Sequence, residues 1–160
     1  MSIGNSRTVC TQMGARNYAR TDREVNDFYA TPPDAVRQLL DRESFAPNVW
    51  ECACGQGHIA KVLEEYGYKV KATDLIDRGY GEGGKDFLIC DERFNGDIIT
   101  NPPYTLALEF VKHSLELIPE GNKVAMLLKI QFLEGKARKL FFDYAPPNMC
   151  MCSAKGSAAV

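Results

Sequence analysis

Asn101-Pro102-Pro103-Tyr104 follow directly on the run Ile98-Ile99-Thr100. An aryl amine such as the exocyclic nitrogen of adenine is a weak nucleophile, because its lone pair is delocalised into the ring. A site that alkylates it must accept hydrogen bonds from both N–H groups, which draws the nitrogen toward tetrahedral geometry. The Asn101 side-chain oxygen and the carbonyl of Pro102, held in a residue of fixed φ, supply two such acceptors. Tyr104 adds a flat face on which a base can stack. Asn and Pro are also ordinary turn residues, so the plain alternative is a strand ending in a Pro-Pro turn. The acceptor, the rigid carbonyl and the ring together favour methyl transfer to a planar amine.

The surrounding pattern indicates what positions these residues. Thr31-Pro32-Pro33-Asp34 reads as a helix start, with Thr31 as N-cap and Pro32 at the first helical position. Val49 to Cys52 reads as a strand, Gly55-Gln56-Gly57 as a turn and Ile59 to Tyr66 as a helix stopped at Gly67. Lys69 to Thr73 is a second strand closed by Asp74. Four glycines lie within residues 79–84, which makes that stretch a loop. Phe87 to Ile89 is a candidate third strand, Asp97 to Thr100 a fourth and Val124 to Leu128 a fifth, fully buried one. Helices are expected over Leu106 to Ile118 and Ala137 to Tyr144. Strands alternating with helices predict an α/β domain with a mostly parallel sheet.

In such sheets ligands bind beyond the carboxyl ends of the strands. Glu51-Cys52-Ala53-Cys54-Gly55-Gln56-Gly57 falls there, where glycines let a ligand approach the backbone and the next helix offers free N–H groups. Asp74 ends the second strand, where a carboxylate can accept from both hydroxyls of a ribose. Asp86 and Phe87 offer an acceptor and a ring for an adenine, although a structural turn explains them nearly as well. Gly55, Gly57 and Ala60, with Asp74 about 20 residues on, also satisfy a dinucleotide fingerprint. An NAD-binding oxidoreductase is therefore the runner-up; it leaves Asn101 to Tyr104 unexplained.

At this point the chain resembles the S-adenosylmethionine-dependent methyltransferases of adenine N6, especially the short phage-encoded DNA enzymes. The resemblance runs from about Asp27 to Pro147 and implies a Rossmann-like methyltransferase sheet. Asp27 to Pro33 is similar to the motif lining the methionine end of the cofactor, which implicates Tyr29, Thr31 and Pro32. Glu51, Ala53, Cys54, Gly55 and Gly57 resemble the glycine-rich cofactor motif, although Glu-Cys stands where Asp-Pro is common. Asp74 matches the ribose acid, Asp86 and Phe87 the adenine-contacting pair, and Asn101, Pro102, Pro103 and Tyr104 the catalytic motif. The implied substrate is DNA, bound with S-adenosyl-L-methionine. Related enzymes modify RNA adenine, cytosine N4 or a protein glutamine, and a cofactor-binding remnant is a further alternative. The family's sheet closes with two more strands, and only thirteen residues follow Pro147. Those strands are thus expected to be missing or incomplete, leaving the fifth strand an uncovered edge that invites self-association.

The expected organisation is a flexible arm over 1–26, carrying Arg7, Arg16, Arg20 and Arg23, a methyltransferase domain over 27–147 and a short tail over 148–160. The 160 residues, 45% hydrophobic with a net charge of −2, suit a single globular domain and no basic nucleic-acid coat protein. Neither a membrane span nor a signal-peptide core is visible, so a cytoplasmic protein is expected. Cys52/Cys54 and Cys150/Cys152 are one residue apart, closer than zinc ligands usually fall; no metal site is expected. His58 reads as a solvated or loop-packing residue and His113 as a surface partner of Glu109. Lys129 and Glu134 fall where the family lines its substrate cleft, with a solvated loop the equal alternative. Lys136, Arg138 and Lys139 form a small basic cluster typical of a helix face.

Overall fold

The computed structural model describes residues 30–152 and 157–159. The expected arm over 1–26 and Tyr29 lie outside the described residues. The elements are α1 (Pro33–Leu40), β1 (Asn48–Glu51), α2 (His58–Glu65), β2 (Lys69–Ala72), β3 (Asp97–Thr100), α3 (Ala107–Leu117), β4 (Val124–Lys129), α4 (Lys136–Tyr144), β5 (Met151–Cys152) and β6 (Ser157–Ala159). The strands form one sheet in the order β2-β1-β3-β4-β6-β5. β1 runs parallel to β2 and β3, and β3 parallel to β4; β6 is antiparallel to both β4 and β5. The chain therefore has the mostly parallel, Rossmann-like architecture that its alternating pattern predicts.

Side chains alternate across the sheet as strand geometry requires. Trp50, Ile98, Met126 and Leu128 face one way and pack with Phe87 and Phe110. Val49, Ile99, Ala125 and Leu127 face the other way, against Val36 of α1 and Ile59 and Leu63 of α2. Both faces are covered, which is why Val124 to Leu128 of β4 reads as a continuous apolar run.

Four expectations are corrected. The end of β4 is not an uncovered edge, because Leu127, Leu128 and Lys129 pair with Ala159, Ala158 and Ser157. The closing strands are short, two and three residues, yet they remove the basis for self-association through that edge. Phe87–Ile89 is a 3-10 turn rather than a strand. Asp86 caps it, accepting from Leu88 N at 3.0 Å, and Phe87 turns inward to meet Trp50 edge-on and Phe110 face-on. β2 is consequently an outer strand of the sheet, protected by Lys69 and Lys71 as outer strands commonly are; Lys71 also lies over Trp50 at 4.2 Å and pairs with Glu92 at 2.6 Å.

Thr31 does not cap α1. A residue before proline avoids the α region, so Pro32, with φ −61 and ψ 130, stays extended and the helix begins one residue later at Pro33. Thr31 is buried, 5% exposed, and its hydroxyl serves another task. His113 is not a surface partner of Glu109. Its Nε2 donates to the Cys90 carbonyl at 2.8 Å and its ring meets Phe87, fastening the loop after β2 onto α3.

Candidate active site

Because β1, β2 and β3 are parallel, the residues leaving their carboxyl ends gather on one side of the sheet. A cavity of about 160 Å³ opens there. It brings together Ala53, Asp74, Asp86, Phe87, Asn101 and Pro103 from the expected site residues, with Cys52 beside them. Phe87 contributes wall only, since its ring is buried in the core. Leu75, Ile76, Arg78, Lys85 and Leu106 also line the cavity and were not singled out from the sequence. An available signal was the aliphatic pair Leu75-Ile76 directly after the acid; Leu75 is 59% exposed, which no core role explains.

Asp74 is committed on both oxygens. Oδ2 accepts from Gly55 N at 2.8 Å and Oδ1 from Ile76 N at 2.8 Å. One carboxylate thus holds the glycine turn against the end of β2, and Asp74 itself lines the cavity. The glycine turn is further closed by Gly57 N donating to Cys54 O at 2.7 Å and Cys54 N donating to Thr73 O at 3.0 Å. Gly57 is required by more than a ligand's approach. Its φ is +78, and a Cβ there would lie 2.5 Å from the ring of Tyr80. Tyr80 packs on this glycine from the loop after β2 and bonds Glu64 through its hydroxyl at 3.1 Å.

Asn101 leaves β3 and donates from Nδ2 to Thr31 Oγ1 at 3.0 Å. That bond, spanning 70 residues, fixes the direction in which the amide is turned, and Oδ1 lies buried. Pro102 is buried, and Tyr104 begins a 3-10 turn, Tyr104–Leu106, that leads into α3. The Lys129 ammonium sits 4.3 Å from the centre of the Tyr104 ring. Arg138, by contrast, is occupied locally, its Nη2 donating to Gln131 O at 3.2 Å, and Lys139 pairs with Asp143 at 2.9 Å. Two members of the basic cluster are therefore tied to their own helix and the turn before it. Of the expected site residues, Thr31, Pro32, Glu51, Cys54, Gly55, Gly57, Pro102 and Tyr104 do not line the cavity.

Glu51 lies behind the glycine turn, 1% exposed, with Oε2 accepting from Ala60 N at 2.8 Å. Burial pushes its carboxyl well above the usual range, with nearby Asp74 and Glu64 adding to the rise against that backbone bond. A carboxyl whose folded-state pKa is raised contributes stability below its unfolded pKa, near 4.3, and loses it as pH climbs through the folded value. Stability should accordingly fall, by at most about 1.4 kcal/mol per pH unit, as pH rises from the ordinary carboxylate range through the Glu51 transition. Glu51→Gln, which keeps an oxygen for Ala60 N, should flatten that decline. Urea denaturation at several pH values checks this, and an unchanged slope in the variant would remove Glu51 as the cause. The same burial pushes the Cys54 thiol up to about 12 and the Cys52 thiol well above its ordinary value, so neither is a thiolate near neutrality. Among the described residues no cluster of His, Cys, Asp and Glu could hold a metal ion, and no helix is long and apolar enough to cross a membrane.

A larger cavity of about 480 Å³ lies away from these residues. It runs from the start of β4 (Asn122, Lys123) past Val111, Phe132 and Phe141 to residues 145–149. Its wall is mostly apolar, with Glu43, Asn122, Lys123 and Asn148 as its polar members, and holds none of the candidate site residues.

No protein-family sequence model and no curated protein sequence matches the chain. Solved structures do. The fold is similar to that of a Pyrococcus horikoshii protein assigned as an RNA methyltransferase, at 15% identity over 87% of this chain and 80% of that one, with a TM-score of 0.54. It is similar to the ribosomal protein L11 methylase of Lactobacillus delbrueckii subsp. bulgaricus, at 18% identity over 80% and 75%, TM-score 0.57. A Bacillus halodurans protein assigned as a methyltransferase aligns at 18% identity over 69% of this chain and 57% of its own, TM-score 0.51. At these identities the likeness establishes the fold alone: a Rossmann-like, mostly parallel sheet shared with those proteins.

Proposed function

We propose that this chain is an S-adenosylmethionine-dependent N-methyltransferase acting on the exocyclic N6 amine of adenine in DNA. The observation that carries the reading is that Asp74 and Asn101, from strands on either side of β1, line one cavity. A ribose-accepting acid and an amine-accepting amide are thus within one small molecule's reach of each other.

The donor set fits the cofactor. Asp74 would take the ribose, Leu75 and Ile76 offer apolar surface to its adenine, and Asp86 an acceptor for that ring's amine. When bound, S-adenosylmethionine supplies an electrophilic methyl group. On the substrate side, Asn101 Oδ1 and the Pro102 carbonyl accept the two N–H groups of the target amine, and Tyr104 stacks on its ring. Thr31 fixes the Asn101 amide in advance, so little reorganisation is needed when the base arrives. The base leaves the duplex to reach this cleft, at a cost of roughly a few kcal/mol. The surplus proton leaves to water, so no side-chain base is required.

Incubation with plasmid DNA and isotopically labelled S-adenosylmethionine, followed by mass spectrometry of the nucleosides, tests the reading. Labelled N6-methyladenine is expected. N4-methylcytosine, methylated RNA or methylated protein would keep the chemistry and refute the substrate. Calorimetric affinity for NAD with none for S-adenosylmethionine would refute the class.

Asp74 has two roles to lose. Asp74→Ala removes the ribose acceptor and releases both Gly55 N and Ile76 N, so cofactor affinity should fall by about 1–3 kcal/mol and the melting temperature should drop as well. Asp74→Asn, which keeps one oxygen, should fall between. Calorimetry and thermal melts on the same samples would show it; a loss of affinity with unaltered melting would mean that the two backbone bonds contribute nothing to stability.

A further inference from the structure

We infer that Lys129 is a substrate-positioning residue that holds the phosphate beside a base stacked on Tyr104, which makes an anionic polynucleotide the substrate class of this site. The inference rests on the methyltransferase reading above and deepens it. Two features of the fold carry it. Thr100 pairs with Met126 across β3 and β4, so the chain leaving β3 at Asn101 and the last residues of β4 run out of the sheet side by side. Lys129, the final residue of β4 and exposed, places its ammonium 4.3 Å from the Tyr104 ring centre. Its backbone is anchored by pairing with Ser157 of β6.

Tyr104 is half-buried, and on the methyltransferase reading the ring face under this ammonium is the one a target base would take. An exposed ammonium–ring contact is worth roughly 2- to 5-fold in an equilibrium constant, whereas stacking a base on an aromatic ring is worth roughly 5- to 150-fold. The base therefore takes the face and the lysine swings off it, with its charge still within a side chain's length of the stacked nucleotide. A phosphodiester answers that charge; the neutral amide of a protein glutamine does not. Arg138 and Lys139 bond within their own segment, whereas the Lys129 ammonium lies over the Tyr104 ring.

The probe is fluorescein-labelled single-stranded d(A)12, compared with the same oligomer bearing uncharged methylphosphonate linkages. Binding is measured by anisotropy at several salt concentrations with S-adenosylhomocysteine present. Wild type should prefer the phosphodiester by roughly 10-fold or more. Lys129→Ala should lose most of that preference and flatten the log K against log salt slope by about 0.7, the value of one phosphate contact on a single strand. Lys129→Arg should restore both. Binding of S-adenosylhomocysteine and thermal melting should be the same in all three, which a merely structural role would not produce. In steady state the alanine variant should raise KM for DNA far more than it lowers kcat. Equal affinity and equal salt slope in Lys129→Ala, or failure of wild type to prefer the phosphodiester, overturns the inference. Methylation of a protein amide alone would do the same while leaving the reaction class intact. Absence of any methyl transfer, with Lys129-dependent oligonucleotide binding retained, would instead refute the enzymatic reading and leave the phosphate contact standing.

Discussion

Replacing Asn101 by alanine should slow methyl transfer to adenine by roughly 100- to 1,000-fold, the usual loss for one preorganised hydrogen-bond partner of the reacting group. The interaction matters most as the nitrogen becomes tetrahedral, so turnover should suffer more than cofactor affinity. The pocket for the cofactor is built from other segments, namely the turn after β1 and the end of β2. Thr31→Val gives a graded version of the same test: it removes the partner that Asn101 Nδ2 bonds at 3.0 Å without removing the acceptor, and should cost less. Tyr104→Ala should weaken capture of the base by about 1–3 kcal/mol, with Phe or Trp retaining more activity, since stacking needs a ring and not a hydroxyl. Single-turnover assays on duplex DNA separate these effects. Asn101→Ala turning over at the wild-type rate would show that the amine is activated some other way.

The largest effect on stability is expected at Asp97, at the far end of the same strand. Its carboxylate is 2% exposed and accepts from Ala46 N at 2.6 Å, Asn122 Nδ2 at 2.9 Å and Lys123 N at 2.8 Å. It sits at the start of β3 and ties down the segments that enter β1 and β4, so one side chain registers three adjacent strands. Asp97→Ala leaves those donors facing a dry void. The expected loss is about 3–5 kcal/mol, a large part of the roughly 5–15 kcal/mol that keeps a domain folded. At this chain length that corresponds to a drop in melting temperature of roughly 6–20 °C. Asp97→Asn, which keeps one acceptor but turns an amide N–H₂ toward a donor, should fall between. Urea denaturation with a loss under about 1 kcal/mol would show that water or neighbouring groups satisfy the donors. The cofactor-side cavity lies at the opposite ends of the strands, so affinity measured well below the melting range should hardly change.

Much of the site could be read along the chain because its signals are local. An acid closing β2, two glycines closing β1 and Asn-Pro-Pro-Tyr closing β3 are each written within a few residues. A parallel sheet then carries such strand ends to one side without further instruction. The misreadings share an origin. Phe87–Ile89 is short and apolar, which suits a strand and a buried turn equally, and only the presence of Trp50, Phe110 and His113 around Phe87 selects the turn. Thr31 had the composition of a cap, but the proline at 33 moved the helix start past it.

What the sequence by itself determined is the alternation of strands and helices, the two-faced burial of β4 and the residues placed at the strand ends, because periodicity and turn chemistry act over one or two turns of chain. The tertiary structure decided which distant groups meet: Thr31 with Asn101, Asp97 with the starts of β1 and β4, Tyr80 over Gly57, Lys129 over Tyr104, and β6 along β4. Each of these joins a side chain or strand to a particular partner far away in sequence. Such a pairing has no period and no local signature, and it exists only once the sheet has brought its two members to the same place.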